Sequence, residues 1–200
     1  MEKCFLHALA MRRSVYSLSN KIALSDDELR QNLAEVVKNV PSAYNVQSAR
    51  VVLLLGEQHQ KLWQIVLKSL YPLVPPEKQA ATESKITESF AAGYGTILFF
   101  EDAEALESVK SKFPLYKDNF GIWAEQANGM LQYAVWTMLA VAGIGASLQH
   151  YNPLIDEQVK QTWNLPDFWQ LKAQMPFGEI KTPPADKTFV PVAERLKVFA

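Results

Sequence analysis

One cysteine, Cys4, in a chain of 200 residues leaves no internal disulfide to form. The three histidines, His7, His59 and His150, are far apart, and no Cys/His/Asp cluster has metal-ligand spacing, which argues against structural or catalytic zinc. No Gly-x-Gly-x-x-Gly follows an apolar strand and no Gly-x-x-x-x-Gly-Lys-Ser/Thr occurs, so a dinucleotide fingerprint and a P-loop are both missing. There is no Gly-x-Ser-x-Gly elbow for a serine nucleophile either. Charge of one sign is also lacking. With 20 basic against 21 acidic residues, no field steers the chain to nucleic acid or to an anionic membrane. The most apolar stretch, Met130 to Ile144, is interrupted by Gln132, Tyr133 and Thr137 and falls short of the roughly 18 residues of a membrane span. The first residues lack the basic start and unbroken apolar core of a secretory signal, so the expected address is the cytoplasm.

What is present is material for a core. At 48% hydrophobic residues, 200 residues fit one domain. Residues 2 to 11 form an amphipathic helix candidate. Ser25-Asp26-Asp27-Glu28 is a capping box, after which Leu29, Leu33, Val36, Val37 and Val40 share one stripe of a helix that Pro41 ends. Buried strands are expected at 50–55 and 96–100, a third at 146–150, and another at 170–178. Helices are expected at 58–71, 77–91, 103–112 and 154–163. The segment 118–142 reads as a helix apolar around almost its whole circumference, which must be covered on every side. From Asn164 the chain is rich in Pro and aromatics. Its last stretch is irregular in pattern, yet Phe189, Val190, Val192, Leu196, Val198 and Phe199 need something to pack on, and a second subunit is the expected partner.

Two polar segments stand out. Arg12-Arg13-Ser14-Val15-Tyr16 offers two guanidinium groups and a hydroxyl, the set that grips a phosphate by charge-assisted hydrogen bonds. Pro41-Ser42-Ala43-Tyr44-Asn45-Val46-Gln47-Ser48 leads into an apolar strand and offers amide, hydroxyl and backbone N–H groups to the polar edge of a flat heterocycle. Together they suggest a flavin mononucleotide (FMN) site. Each segment also has a plainer reading: Arg12-Arg13 as a solvated helix end, Ser42 and Asn45 as turn caps, Gly143 and Gly145 as a helix C-cap. His150 fits a hydrogen-bonded loop. The aromatics Phe113, Tyr116, Phe120 and Trp123 fit a lid or a core equally well.

In order and spacing, these segments, with Gly143-Ile144-Gly145 after the long apolar helix and Lys187 in a Pro-rich tail, resemble the nitroreductase family. The likeness is closest to its short subgroup of fungal fatty-acid-repression-type and bacterial copper-induced nitroreductases. The resemblance implies an α+β, three-layer fold with a central, mostly antiparallel sheet flanked by helices, in an intertwined homodimer. Each of two interfacial sites would hold one FMN. It implies phosphate contacts from Arg12, Arg13, Ser14 and Lys187, and isoalloxazine contacts from Ser42, Ala43, Asn45 and Gln47 of the other subunit. A backbone N–H of Leu148, Gln149 or His150 would face flavin N5.

Tyr16 stands where many members of the family carry a basic residue at the flavin N1/O2 edge, and Phe189 where many carry a second tail arginine; Arg13 and Arg50 are available for the first role. The implied activity is ping-pong transfer from NAD(P)H, a transient reductant, to nitroaromatics or quinones, small flat acceptors, with no side-chain acid or base required. The alternative is a flavin-binding redox-sensing or stress-regulatory protein with little turnover.

Overall fold

The computed structural model describes residues 2–199. Helix α1 (Glu2–Met11) leads to a two-residue strand β1 (Leu18–Ser19), then α2 (Asp26–Asn39), β2 (Ala49–Leu55) and α3 (Gly56–Leu70). Next come α4 (Pro76–Lys85), β3 (Gly95–Asp102), α5 (Ala103–Lys112) and the 22-residue α6 (Phe120–Val141). The chain ends with β4 (Ile144–Ala146), α7 (Asp156–Trp163), β5 (Trp169–Ile180) and a short α8 (Val192–Arg195).

The five strands form one antiparallel sheet in the order β1-β5-β3-β2, with β4 also paired to β5. Strand alternation sends successive side chains to opposite faces, and helices cover both. On one face Ile97, Phe99, Ala173, Met175 and Phe177 pack with Leu29 and Leu33 of α2 and Leu131, Val135 and Leu139 of α6. On the other, Leu54, Leu98, Phe100 and Leu171 meet Leu62, Trp63 and Val66 of α3 and Val159 of α7. This is the expected α+β, three-layer arrangement.

Local chemistry sets the element ends. The Ser25 side chain accepts from the Glu28 amide while the Glu28 carboxylate accepts from the Ser25 amide at 2.8 Å, so both halves of the capping box form. Gly143, at φ 73°, turns the chain out of α6. Gly178 lies so close to the Ser19 backbone that any Cβ there would collide with it, which lets the short β1 reach β5. Between Phe99 and Phe100 the β3–β5 register shifts, and Lys172 is the extra residue on β5.

Five details depart from the sequence expectation. The strand expected at 146–150 is only Ile144–Ala146, followed by an isolated bridge from Gln149 to Gln174. It begins inside the glycine pair because a Cβ on Gly145 would press against Ile180 and Val15. The helix expected to 91 gives way after Lys85 to a π-turn, Ile86–Phe90, that buries Ile86 and Phe90. The tail contains α8, and β1 adds a strand that two residues are too few to signal. Finally, α6 leaves Ile122, Met130, Tyr133 and Val141 exposed, so the covering its composition demands is incomplete within one chain.

Candidate functional site

The first polar segment lies against β4. Ser14 and Ala146 form a parallel bridge, the Val15 amide donates to the Ala146 carbonyl at 2.9 Å, and the Trp136 indole donates to the same oxygen at 3.2 Å. Trp136 also carries the Arg12 guanidinium 4.3 Å above its ring. The Arg12 Nε is buried and has no hydrogen-bond partner among the described residues. A buried, unpaired guanidinium donor is costly, and an anion beside it would remove that cost.

Arg13 reaches the other way. Its Nη2 donates to the Ala185 carbonyl, and Ser17 reinforces the junction by donating to the Thr182 hydroxyl at 3.2 Å. The tail is thereby tied beside the arginines, with Lys187 only two residues beyond Ala185, within about 7 Å of chain reach. The Lys187 ammonium is exposed and rests 5.3 Å from the Phe189 ring. Tyr16 is half exposed, its ring 6.3 Å from Phe90.

After β4, the Gln149 amide donates to the Gln174 carbonyl at 2.7 Å and the Gln149 carbonyl accepts from the Gln174 amide at 2.9 Å. Amides alternate in direction along extended chain, so those of Leu148 and His150 point away from β5, and neither has a partner among the described residues. Of the three residues expected to offer an N–H, Gln149 has its amide committed. Its side chain bonds Ser147 at 3.1 Å. The structure thus gathers Arg12, Arg13, Ser14, Leu148, Gln149, His150 and the root of Lys187's tail on one side of the molecule.

Ser42, Ala43, Asn45 and Gln47 are elsewhere. They form a turn between α2 and β2 in which Tyr44, Asn45 and Gln47 all adopt positive φ, at 54°, 53° and 51°. Such backbone is uncommon outside glycine, and each instance costs on the order of 1–3 kcal/mol, so neighbours must hold it. The Ser42 hydroxyl accepts from the Gln47 amide at 2.9 Å, and Arg50 donates to the Gln47 carbonyl at 2.7 Å. Arg50 is further committed to Asp102 at 2.7 Å, which removes it as a free cation for a flavin edge.

Around the turn stands an aromatic wall. The Tyr44 ring lies 4.5 Å from Phe113, 5.9 Å from Tyr116, 5.5 Å from Phe120 and 6.2 Å from Trp123, the last nearly parallel. Phe120 is buried, whereas Tyr44, Phe113 and Tyr116 are exposed. One member of the cluster is therefore core and the others form a surface.

The two segments sit at opposite ends of α6, Arg12 against Trp136 and Tyr44 against Trp123. Thirteen residues of helix separate those tryptophans by about 20 Å. A cavity of about 680 Å³ lies between α2 and β2 beside the turn, lined by Leu33, Val37, Val51 and Leu53 together with Arg30, Lys38, Ser42 and Gln47. It does not include Arg12 or Ser14.

The molecule is thus an α+β protein with an arginine-bearing end, where a buried guanidinium donor lacks a partner among the described residues, and an aromatic end built around Tyr44. The profile described as the Nitroreductase family matches residues 9–179. The Saccharomyces cerevisiae protein HBN1 is 31% identical over 188 residues, 93% of each chain. The nitroreductase CinD from Lactococcus lactis, solved with chloramphenicol and with 4-nitrophenol, superposes with a TM-score of 0.88 at 41% identity, over 98% of this chain and 100% of that one. A Desulfitobacterium hafniense nitroreductase with bound FMN shares the fold, with a TM-score of 0.70 at 17% identity over 98% of this chain and 97% of that one. The chain belongs to the nitroreductase family.

Proposed function

We propose that this chain is an FMN-dependent NAD(P)H oxidoreductase that works as a homodimer and reduces nitroaromatics or quinones by a ping-pong mechanism. One observation carries the reading. The phosphate-type segment, with the buried and unpaired Arg12 Nε, and the ring-edge segment, with Asn45 and Gln47 exposed, lie about 20 Å apart along one helix, so they fit a single flavin only when two chains each supply one of them. When bound, FMN would supply the two-electron redox chemistry, taking up a hydride from NAD(P)H and giving the electrons to the acceptor.

The chain's own residues do the rest. Arg12, Arg13, Ser14 and Lys187 neutralise and orient a phosphate, and the buried unpaired Nε of Arg12 fits that task. The free amide of Leu148 or His150 donates to N5, and a preorganised donor there stabilises charge as it develops. Ser42, Asn45 and Gln47 meet the polar ring edge from the other subunit. Tyr44 with Phe113, Tyr116 and Trp123 offers flat acceptors a stacking surface that excludes water and rejects few planar molecules. CinD's complexes with chloramphenicol and 4-nitrophenol support that acceptor class.

Exposed Ile122, Met130, Tyr133 and Val141 on α6 and the exposed apolar tail from Phe189 to Phe199 support the dimer. The outer edge of β2 and the cavity beside it lie open to receive the tail of a second copy.

Mixed dimers test the arrangement. When an Arg12→Ala chain pairs with an Asn45→Ala chain, a cross-subunit site predicts one intact site and one doubly damaged site, hence close to one tightly held FMN per dimer. Two equally weakened sites would contradict it.

A further inference from the structure

Three residues of the Ser42–Gln47 turn adopt positive φ, so the turn must be held from outside, and the side chain that grips its far end is Arg50. Arg50 Nη1 donates to the Gln47 carbonyl at 2.7 Å and to the Ala49 carbonyl at 3.1 Å. Its Nη2 donates to Asp102 Oδ2 at 2.7 Å. A planar guanidinium fixes the angle between these bonds, so the place of Asp102 governs where the Gln47 carbonyl can lie.

Asp102 is buried and fixed by its other partners. Its Oδ1 accepts from the Ala105 amide at 2.9 Å, which caps α5, and its own amide donates to the Ser48 carbonyl at 2.9 Å. The Trp169 ring lies 6.0 Å from the Arg50 guanidinium carbon. Helix α5 leads in turn to the aromatic surface, since Phe113 follows its last residue and packs 4.5 Å from the Tyr44 ring. The turn is thus fastened to the start of α5 by charge and to the end of α5 by ring packing.

We propose that Arg50 and Asp102 form a clasp of positioning residues that fixes the Ser42–Gln47 turn in the shape that meets the flavin ring, without themselves touching the cofactor. The inference rests on the FMN reading above. An exposed ion pair contributes little, but here the carboxylate is buried, and the guanidinium is shared with the carbonyl of a residue in left-handed backbone. Without that grip the turn spreads over several backbone conformations. A ligand that needs one of them then binds more weakly, in proportion to the fraction of chains that still adopt it.

The test compares wild type with Arg50→Met and with the double variant Arg50→Met/Asp102→Asn. Three quantities are measured: FMN affinity by fluorescence titration, amide hydrogen exchange at Gln47 in the apoprotein, and the melting temperature of the apoprotein. Arg50→Met leaves the Asp102 carboxylate buried without its cation, so the melting temperature falls. The Gln47 amide, held by the Ser42 hydroxyl at 2.9 Å, should exchange at least about tenfold faster, and FMN affinity should drop at least about fivefold. Adding Asp102→Asn removes the stranded charge, so most of the lost melting temperature returns. The Gln47 carbonyl is still unheld, and both exchange and FMN affinity should stay at the values of Arg50→Met.

If affinity and exchange recover together with melting temperature in the double variant, the pair only stabilises the fold and the inference is wrong. If Arg50→Met does not fold, the double variant decides: reduced FMN affinity at a melting temperature near wild type supports the clasp, and full affinity overturns it. A wild-type protein that takes up no FMN overturns the function proposed above and this inference with it. Normal uptake in wild type with unresponsive variants overturns this inference alone.

Discussion

Arg12 lies between two demands, its guanidinium stacked on Trp136 and its Nε buried without a partner. A bound phosphate satisfies the second without disturbing the first. Arg12→Ala should therefore weaken FMN binding by about 1.5–3 kcal/mol, the worth of a charge-assisted hydrogen bond, while the chain stays folded. Fluorescence titration of FMN into the apoprotein measures the loss, and full affinity in the variant would refute the phosphate assignment.

His59 gives a prediction of a different kind. Its Nδ1 lies 2.8 Å from the Thr96 hydroxyl, its Nε2 3.2 Å from the Ala91 carbonyl, and Trp63 donates to Thr96 at 3.0 Å. This chain of donors closes with a neutral imidazole protonated on Nε2, and burial lowers the His59 pKa. Because the unfolded chain binds the proton more readily, stability is fully present above about pH 6.5 and declines as pH falls below it. Glu101 has the opposite sign: its raised pKa contributes stability at low pH that is lost as pH rises through it. The melting temperature of wild type minus that of His59→Gln isolates the first effect, and should shrink between pH 7 and pH 5.

At this scale the sequence was informative about type and poor about environment. Pro41 followed by small polar residues ahead of an apolar strand announces a turn, and the turn is there. Nothing in propensity announces three positive-φ residues within it, because only packing against Phe113, Phe120 and Trp123 makes a tyrosine tolerable there. Glu101, at the end of Thr96-Ile97-Leu98-Phe99-Phe100, reads as the point where a strand meets solvent, yet α6 covers it.

Among the elements, α6 organises both the core and the candidate site. One face carries Leu131, Val135 and Leu139 into the sheet, while Trp136 supports Arg12 and Trp123 lies in the aromatic wall. Leu139→Ala should cost about 2–5 kcal/mol by opening a cavity against Ile97, Phe99 and their neighbours, readable in chemical denaturation. A cost under 1 kcal/mol would mean that this face is not the packed one.

Long elements were legible for a physical reason: α2 and α3 carry an apolar stripe repeated often enough to leave a signal, and β2 and β3 contain unbroken apolar runs. Elements fixed by a single close approach were not. Strand β1 exists because Gly178 admits Ser19, and β4 is placed by Gly145 against Ile180 and Val15, neither of which is a periodicity. The bulge at Lys172 is equally silent in sequence, since it depends on which partner β5 finds.

In the whole molecule, the arginine-bearing segment and the aromatic cluster lie at opposite ends of one helix, and the apolar tail and the outer face of α6 are left exposed. The proposed two-fold dimer would answer all of these at once, bringing one chain's Arg12 toward another's Asn45. The sequence singled out both segments but held no measure of the distance between them, which only the length of α6 supplies. Among the described residues no helix is long and apolar enough to cross a membrane, and no group of three or more His, Cys, Asp or Glu side chains could hold a metal ion.

The most direct test of that account is the visible absorption spectrum of the purified protein reconstituted with FMN, recorded anaerobically before and after NADH and then after a nitroaromatic. The account predicts protein-bound flavin bands that bleach with NADH and return when the nitroaromatic is added. A protein that retains no FMN, or whose bound flavin neither bleaches with NADH or NADPH nor recovers with an acceptor, would contradict it.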